Sequence, residues 1–184
     1  MLKKILFTSV AMIVTSHVAM AAPAPYIGAG LGITANTSNN SDSKFSSYRG
    51  MPFNIFAGYG GIVNQNLYLA GELNGTLLTG ELSNGGSNSL KTSYGYSASI
   101  IPGIMLSDHT MAYARAGVVR SRFPNSHTMS TGGQAGLGLQ TTLTQNIDLR
   151  GEYDLTAYRS INHHNMSTAP RSDGFNLGLV YKFD

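Results

Sequence analysis

The stretch "IDLRGEYDLTAY", Ile147 to Tyr158, decides the fold. From Asp148 onward every second residue is polar or charged: Asp148, Arg150, Glu152, Asp154 and Thr156. Between them stand Ile147, Leu149, Gly151, Tyr153, Leu155 and Ala157. Side chains change face at each residue only in a strand, so this is a strand with one charged and one apolar face. A helix would scatter the same residues around its axis. The fold then turns on which solvent each face meets.

The chain has 184 residues, room for one domain. Only 11% of them are charged while 42% are hydrophobic, less than half the roughly 25% charge of soluble domains. A disordered chain would show the opposite balance. There is no Cys, so disulfides cannot hold an exported domain together. Export is expected from the N-terminus, where Lys3 and Lys4 precede the apolar "ILFTSVAMIV" and the small-residue "HVAMAAPAP". That order predicts a cleavable Sec-type signal peptide over residues 1–21 and an exported domain over 22–184. An uncleaved anchor would need roughly 20 apolar residues, about twice what is present. Of twelve basic residues, Lys3 and Lys4 leave with the signal, and ten remain against nine acidic ones. A near-neutral domain gives no support for nucleic-acid binding by bulk charge.

Alternating segments recur along the rest of the chain and predict eight strands, at about 26–34, 52–60, 67–78, 93–106, 110–122, 132–143, 146–158 and 173–184. Short connections ("GIVNQN", "SDH", "TQ") alternate strictly with long ones ("ANTSNNSDSKFSSYRGM", "TGELSNGGSNSLKT", "SRFPNSHTMSTG", "RSINHHNMSTAPRS"). In an up-and-down antiparallel sheet this puts every tight turn at one end and every long loop at the other, the asymmetry of a transmembrane barrel. One face of the strands is apolar, as in Ile27, Leu31, Ile55, Leu73, Ile100, Val118, Leu137 and Leu155. The other is rich in Gly and short polar groups, with Asn54, Glu72, Asn74, Ser99, Arg115, Gln140 and Asn176. A soluble lipocalin-like barrel would turn the apolar face inward. Here the small polar face suits the crowded interior of an eight-stranded barrel, and the apolar face is assigned to lipid. Pro102 interrupts the lipid face of the fourth strand, where a bulge or fraying is expected because a ladder donor is missing.

Five segments carry a resemblance: "FAGYG" (56–60), "LYLAGELNG" (67–75), "IPGIMLSDHTMAYARAGV" (101–118), "IDLRGEYDL" (147–155) and "GFNLGLVYKF" (174–183). In order, with the loop alternation, they resemble the eight-stranded outer-membrane barrels of the OmpA transmembrane-domain and OmpX/Ail superfamily. The resemblance implies an all-β, eight-stranded, antiparallel up-and-down transmembrane barrel in the bacterial outer membrane. It also implies that the last strand is read by the barrel-assembly machinery through Phe175, Leu177, Leu179, Tyr181 and Phe183, although Asp184 follows the final aromatic residue.

Glu72, Arg115, Asp148, Arg150, Glu152 and Lys182 are the expected lumen charge network, in which arginines bridge carboxylates. A sharper reading makes the same charges a gate in a narrow pore. Arg49, Lys91, Arg120, Arg122, Arg159 and Arg171 lie at strand ends or in loops, where they are expected to meet lipopolysaccharide phosphates or a surface ligand. Tyr48, Phe123 and Tyr158 are expected interfacial anchors. No catalytic residues emerge. "SHTMS", with Ser126, His127 and Ser130 in a loop, lacks a paired acid, and adjacent His163 and His164 have no Asp, Glu or Cys at ligand spacing, so neither metal nor cofactor is expected. The expected role is structural and adhesin-like, through four long loops and a host surface ligand. A lipid A-modifying barrel enzyme stands as the third reading, after the pore.

Overall fold

The computed structural model describes residues 23–38, 48–64, 66–84, 92–123, 128–159, 161–163 and 166–183; the expected signal peptide and Lys91 lie outside them. Eight long strands form one closed antiparallel barrel: β1 (Ala24–Ser38), β2 (Tyr48–Asn64), β3 (Leu67–Asn84), β4 (Gly95–Ser107), β5 (Thr110–Phe123), β6 (Thr128–Thr142), β7 (Ile147–Tyr158) and β10 (Pro170–Lys182). Between β7 and β10, a small hairpin joins β8 (Ile161–His163) to β9 (Met166–Thr168). The sequence shows that segment only as a loop, because three-residue strands are too short for alternation to register.

Each strand pairs with its chain neighbour, and β1 closes the cylinder against β10, from Tyr26 opposite Lys182 to Ser38 opposite Pro170. Gly30 faces Gly178 within that seam. Full closure leaves no unpaired sheet edge, a condition any sheet must meet in hydrocarbon. β2 and β3 run 17 and 18 residues, well beyond the roughly 9–11 needed to cross a bilayer. The surplus of β3 lies toward the long-loop end, whereas β2 outruns its expected bounds at both ends. Their ladder also carries register shifts at Arg49/Gly50 and Phe53/Asn54, which explains why consecutive Leu77 and Leu78 both face out. At Pro102 no bulge forms. β4 still pairs Pro102 with Leu69 of β3, and pairing with β5 passes from Ile100–Ala116 to Gly103–Tyr113 without a change of register.

Outside, the wall is apolar: Ile27, Leu31, Ile55, Leu73, Ile100, Val118, Leu137, Leu155, Phe175, Leu177 and Leu179 are exposed. Tyr59, Tyr181 and Phe183 project near the turn end, with Tyr181 and Phe183 edge-to-face at 5.0 Å, and Tyr94 and Tyr96 project near the loop end. These outward rings form the two aromatic girdles of a membrane barrel. Tyr48 and Tyr158 correct the expectation for anchors. Both turn inward: Tyr48 is fully buried, and the Tyr158 hydroxyl is 3.0 Å from Ser121 Oγ. Tyr158 has the same parity as Asp154 and Thr156, so alternation alone assigns it to the lumen. The Phe123 side chain lies outside the described residues.

Candidate functional site

Three layers fill the lumen. Nearest the turns, Tyr26, Phe56, Ala70, Ile101, Met111, Tyr113 and Val180 pack as an apolar core, with Tyr68 and Met105 against it. Sequence reasoning missed these side chains, because apolar residues in a membrane barrel read as lipid-facing. Parity was the available signal: Tyr26 shares a face with Gly28, Phe56 with Asn54, and Tyr113 with Arg115. Glycine makes room for the rings, since a Cβ at Gly28, Gly58 or Gly138 would run into Phe56, Tyr26 or Tyr113.

The middle layer is charged. Glu72 accepts from Arg115 Nη2 at 2.6 Å, from Arg150 Nη1 at 2.5 Å and from the Tyr26 hydroxyl at 2.9 Å. Arg115 Nε donates to Glu152 at 2.9 Å and lies 3.8 Å from Asp154 Oδ1. Arg150 Nε donates to Gln140 Oε1 at 2.9 Å, and the Gln140 amide donates to Asp148 at 2.7 Å. Lys182 Nζ completes the chain 2.9 Å from Asp148 Oδ1. Glu72, Arg115, Asp148, Arg150, Glu152 and Lys182 therefore meet in one connected path, with neutral Gln140 joining its two halves. The Arg150 guanidinium also lies among the rings of Phe56, Tyr113 and Tyr26, at 4.7, 5.3 and 5.4 Å from their centroids. A weakly hydrated, planar cation suits that enclosure better than an ammonium would.

Toward the loops the lumen becomes neutral and polar. The Thr76 hydroxyl donates to Asn54, Asn54 to Asn176, and Asn176 to Asp154 Oδ2, at 2.8, 3.0 and 3.1 Å. These residues border a cavity of about 110 Å³, while a cavity of about 300 Å³ lies at the turn end beside Tyr68, Met105, His109 and Lys182. Beneath the outer cavity, beside Arg115, Arg150 and Glu152, is a void of about 30 Å³.

A second set of residues stands on the outer wall. Arg49, Arg120, Arg159 and Arg171 are exposed, and Arg122 is half-buried. Each shares the parity of the apolar face of its strand, at its loop end, and on β10 Asp173 stands between Arg171 and the apolar Phe175. Arg120 pairs with Thr131, whose carbonyl accepts the Arg159 backbone N–H at 2.9 Å, and Arg171 pairs with Ala157. Arg120, Arg159 and Arg171 thus form a patch across β5, β6, β7 and β10. Arg122 Nη1 donates to the Tyr94 hydroxyl at 3.1 Å. Ser130, expected in a loop, lies on β6 and donates to the Arg159 carbonyl at 3.1 Å.

A family model described as "Outer membrane protein beta-barrel domain" matches residues 5–183. The chain belongs to this family. It is therefore an outer-membrane barrel of the bacterial envelope. Among solved structures it is similar to Neisserial surface protein A, at 21% identity over 86% of this chain and 97% of that one, with a TM-score of 0.59. It is also similar to Ail, the attachment invasion locus protein of Yersinia pestis, at 16% identity over 89% and 100% of the two chains, with a TM-score of 0.54. At these identities the likeness concerns the fold. No curated protein matches the sequence.

Proposed function

We propose that this outer-membrane barrel is a rigid, non-enzymatic platform, seated in lipopolysaccharide, that engages a host surface ligand through its long connections, those from β1 to β2, β3 to β4 and β7 to β10. The β5–β6 connection, expected to be a fourth, spans only residues 124–127. The filled lumen is the observation that carries the reading. Glu72 and its two arginines close the middle of the barrel, which makes the interior a core and leaves the outside as the working surface. The name of the attachment invasion locus protein agrees with a surface role for this architecture. Phe175, Leu177, Leu179, Tyr181 and Phe183, all outward on or just after β10, are proposed to serve the barrel-assembly machinery. The Sec-type leader belongs to the same proposal.

Arg120, Arg159 and Arg171 would hold lipopolysaccharide phosphates, with Arg49 and Arg122 beside them and Lys91 in the loops, because charge-assisted bonds to phosphate are the strongest an exposed arginine can make. Replacing Arg120, Arg159 and Arg171 together by Ala is expected to weaken lipopolysaccharide binding by on the order of 10- to 100-fold, at up to about 1 kcal/mol per exposed charge. Wild-type affinity should fall toward the variant's as salt is raised. Equal affinity of the two proteins in low salt would remove this half of the proposal. For the loops, the test is adherence of bacteria displaying the chain to epithelial monolayers. Deleting 39–47 and 160–169 together should abolish adherence while the barrel keeps its heat-dependent gel shift. Adherence that survives the deletion would contradict the platform reading.

One observation favours a gated pore instead: the belt separates a cavity on either side. Purified protein in planar bilayers is expected to be silent. Unitary currents that change with Glu72→Gln would replace the platform reading with the pore.

A further inference from the structure

We propose that the outer cavity of the lumen is a seat for a small monovalent cation, an alkali ion or a protonated primary amine, held by Asp154 and Gln134. Charge balance is the first ground. Among the described residues, four carboxylates face the lumen, Glu72, Asp148, Glu152 and Asp154, against three cations, Arg115, Arg150 and Lys182. The pairings already described engage Glu72, Asp148 and Glu152 closely. Asp154 has the Asn176 amide, an Arg115 nitrogen 3.8 Å away and the like-charged Glu152 carboxyl beside it, so the surplus negative charge falls on the Glu152–Asp154 pair, at the edge of the cavity.

Asp154 is also aimed at the cavity. Its side chain is 10% exposed, it lines the wall, and its Oδ1 has no hydrogen-bond partner. Gln134 Oε1, on the same wall, has none either. Both orphan atoms on the wall are oxygens, so what they lack is a donor or a cation. Gln134 pairs with Thr156 and Gly136 with Asp154, which makes Gln134 and Asp154 diagonal neighbours, roughly 7–8 Å apart at the backbone. That spacing lets one ion or ammonium group meet both oxygens. The remaining lining supplies neutral oxygens from Asn54, Asn74, Thr76 and Thr156.

Charge and size narrow the ligand. One unbalanced carboxylate is neutralised by a single positive charge, whereas a divalent ion would leave a new surplus in a poorly solvated space. The described residues contain no group of three or more His, Cys, Asp or Glu side chains that could hold a metal ion, so the charge-rich ligand set of a divalent-ion site is not assembled there. A cavity of about 110 Å³ admits such a group with a few waters.

The test follows the side-chain amide resonances of Asn54, Gln134 and Asn176 in the full-length exported chain, folded in detergent micelles. Sodium, potassium or methylammonium chloride is titrated in, with ionic strength held by bulky tetramethylammonium chloride. A saturable shift is expected, with about a tenfold or greater loss of affinity in Asp154→Asn and a smaller loss in Gln134→Ala, as befits a charged and a neutral partner. Saturation by an alkali ion alone assigns the seat to the metal, and saturation by methylammonium alone assigns it to an amine; either upholds the proposal. Shifts that stay linear for all three cations overturn it, as do shifts unchanged in Asp154→Asn. If Asp154→Asn fails to fold, an undiminished affinity in Gln134→Ala overturns it instead.

Discussion

Glu72→Ala is expected to lower the stability of the folded barrel by about 3–5 kcal/mol, the usual cost of removing one partner from a buried ion pair. Its carboxylate is fully buried and accepts two guanidinium bonds and a tyrosine hydroxyl, so its loss takes from Arg150 its carboxylate partner and leaves Arg115 with Glu152 and the more distant Asp154. Glu72→Gln should recover little, because an amide NH₂ would point at one of the guanidinium groups. Adding Arg150→Met to Glu72→Ala should restore part of the loss, as it removes the stranded charge. Urea unfolding in lipid vesicles, followed by the heat-dependent gel shift, would measure all four proteins. A midpoint for Glu72→Ala within error of wild type would mean that the lumen network is not holding the barrel.

Leu137→Arg should be nearly as damaging, for the opposite reason. Leu137 is 70% exposed, and on a soluble protein such a surface change is usually within about 0.5 kcal/mol of neutral. Here the exposure is to hydrocarbon. Leu137 sits beside Gly136, the partner of Arg115, and so near the middle of the wall. Arginine at the bilayer midplane costs about 2–4 kcal/mol, falling to about 0–1 near the interfaces. Leu139→Arg and Leu143→Arg, progressively nearer the turns, should therefore cost progressively less in the same unfolding assay. A flat series would show that the apolar wall does not lie in lipid.

The fold was legible because a period of two is hard to mimic and the loop lengths alternate with it. Asp148, Arg150 and Glu152 could be assigned to the lumen from Ile147–Tyr158 alone. What they touch could not be. Arg150 meets Glu72, 78 positions away, through a barrel closure that no local pattern specifies. Gln140, the bridge between the two halves of the network, reads in sequence as one polar residue among many. Tyr26, Phe56 and Tyr113 were hidden by their own chemistry: residue type argued for lipid while parity argued for the lumen, and parity was right. The same conflict misplaced Tyr48 and Tyr158. On the outer wall, strand parity shows which way the arginines point once the strands are known to continue past the apolar band.

The seam between β1 and β10 joins the two ends of the chain, and every other barrel ladder joins consecutive barrel strands. It is the joint of greatest loop-closure cost, so seven hairpins can form while two raw edges remain. Gly28, Gly30 and Gly32 of β1 meet a lumen side of β10 that includes Gly178, with Gly30 directly against Gly178. Those edges therefore have little to thread past one another on the inside, where the rings and ion pairs fill the closed barrel. The two edges can come together with little steric obstruction while the lumen contacts form with closure, which shortens the time the sticky margins are open to other chains.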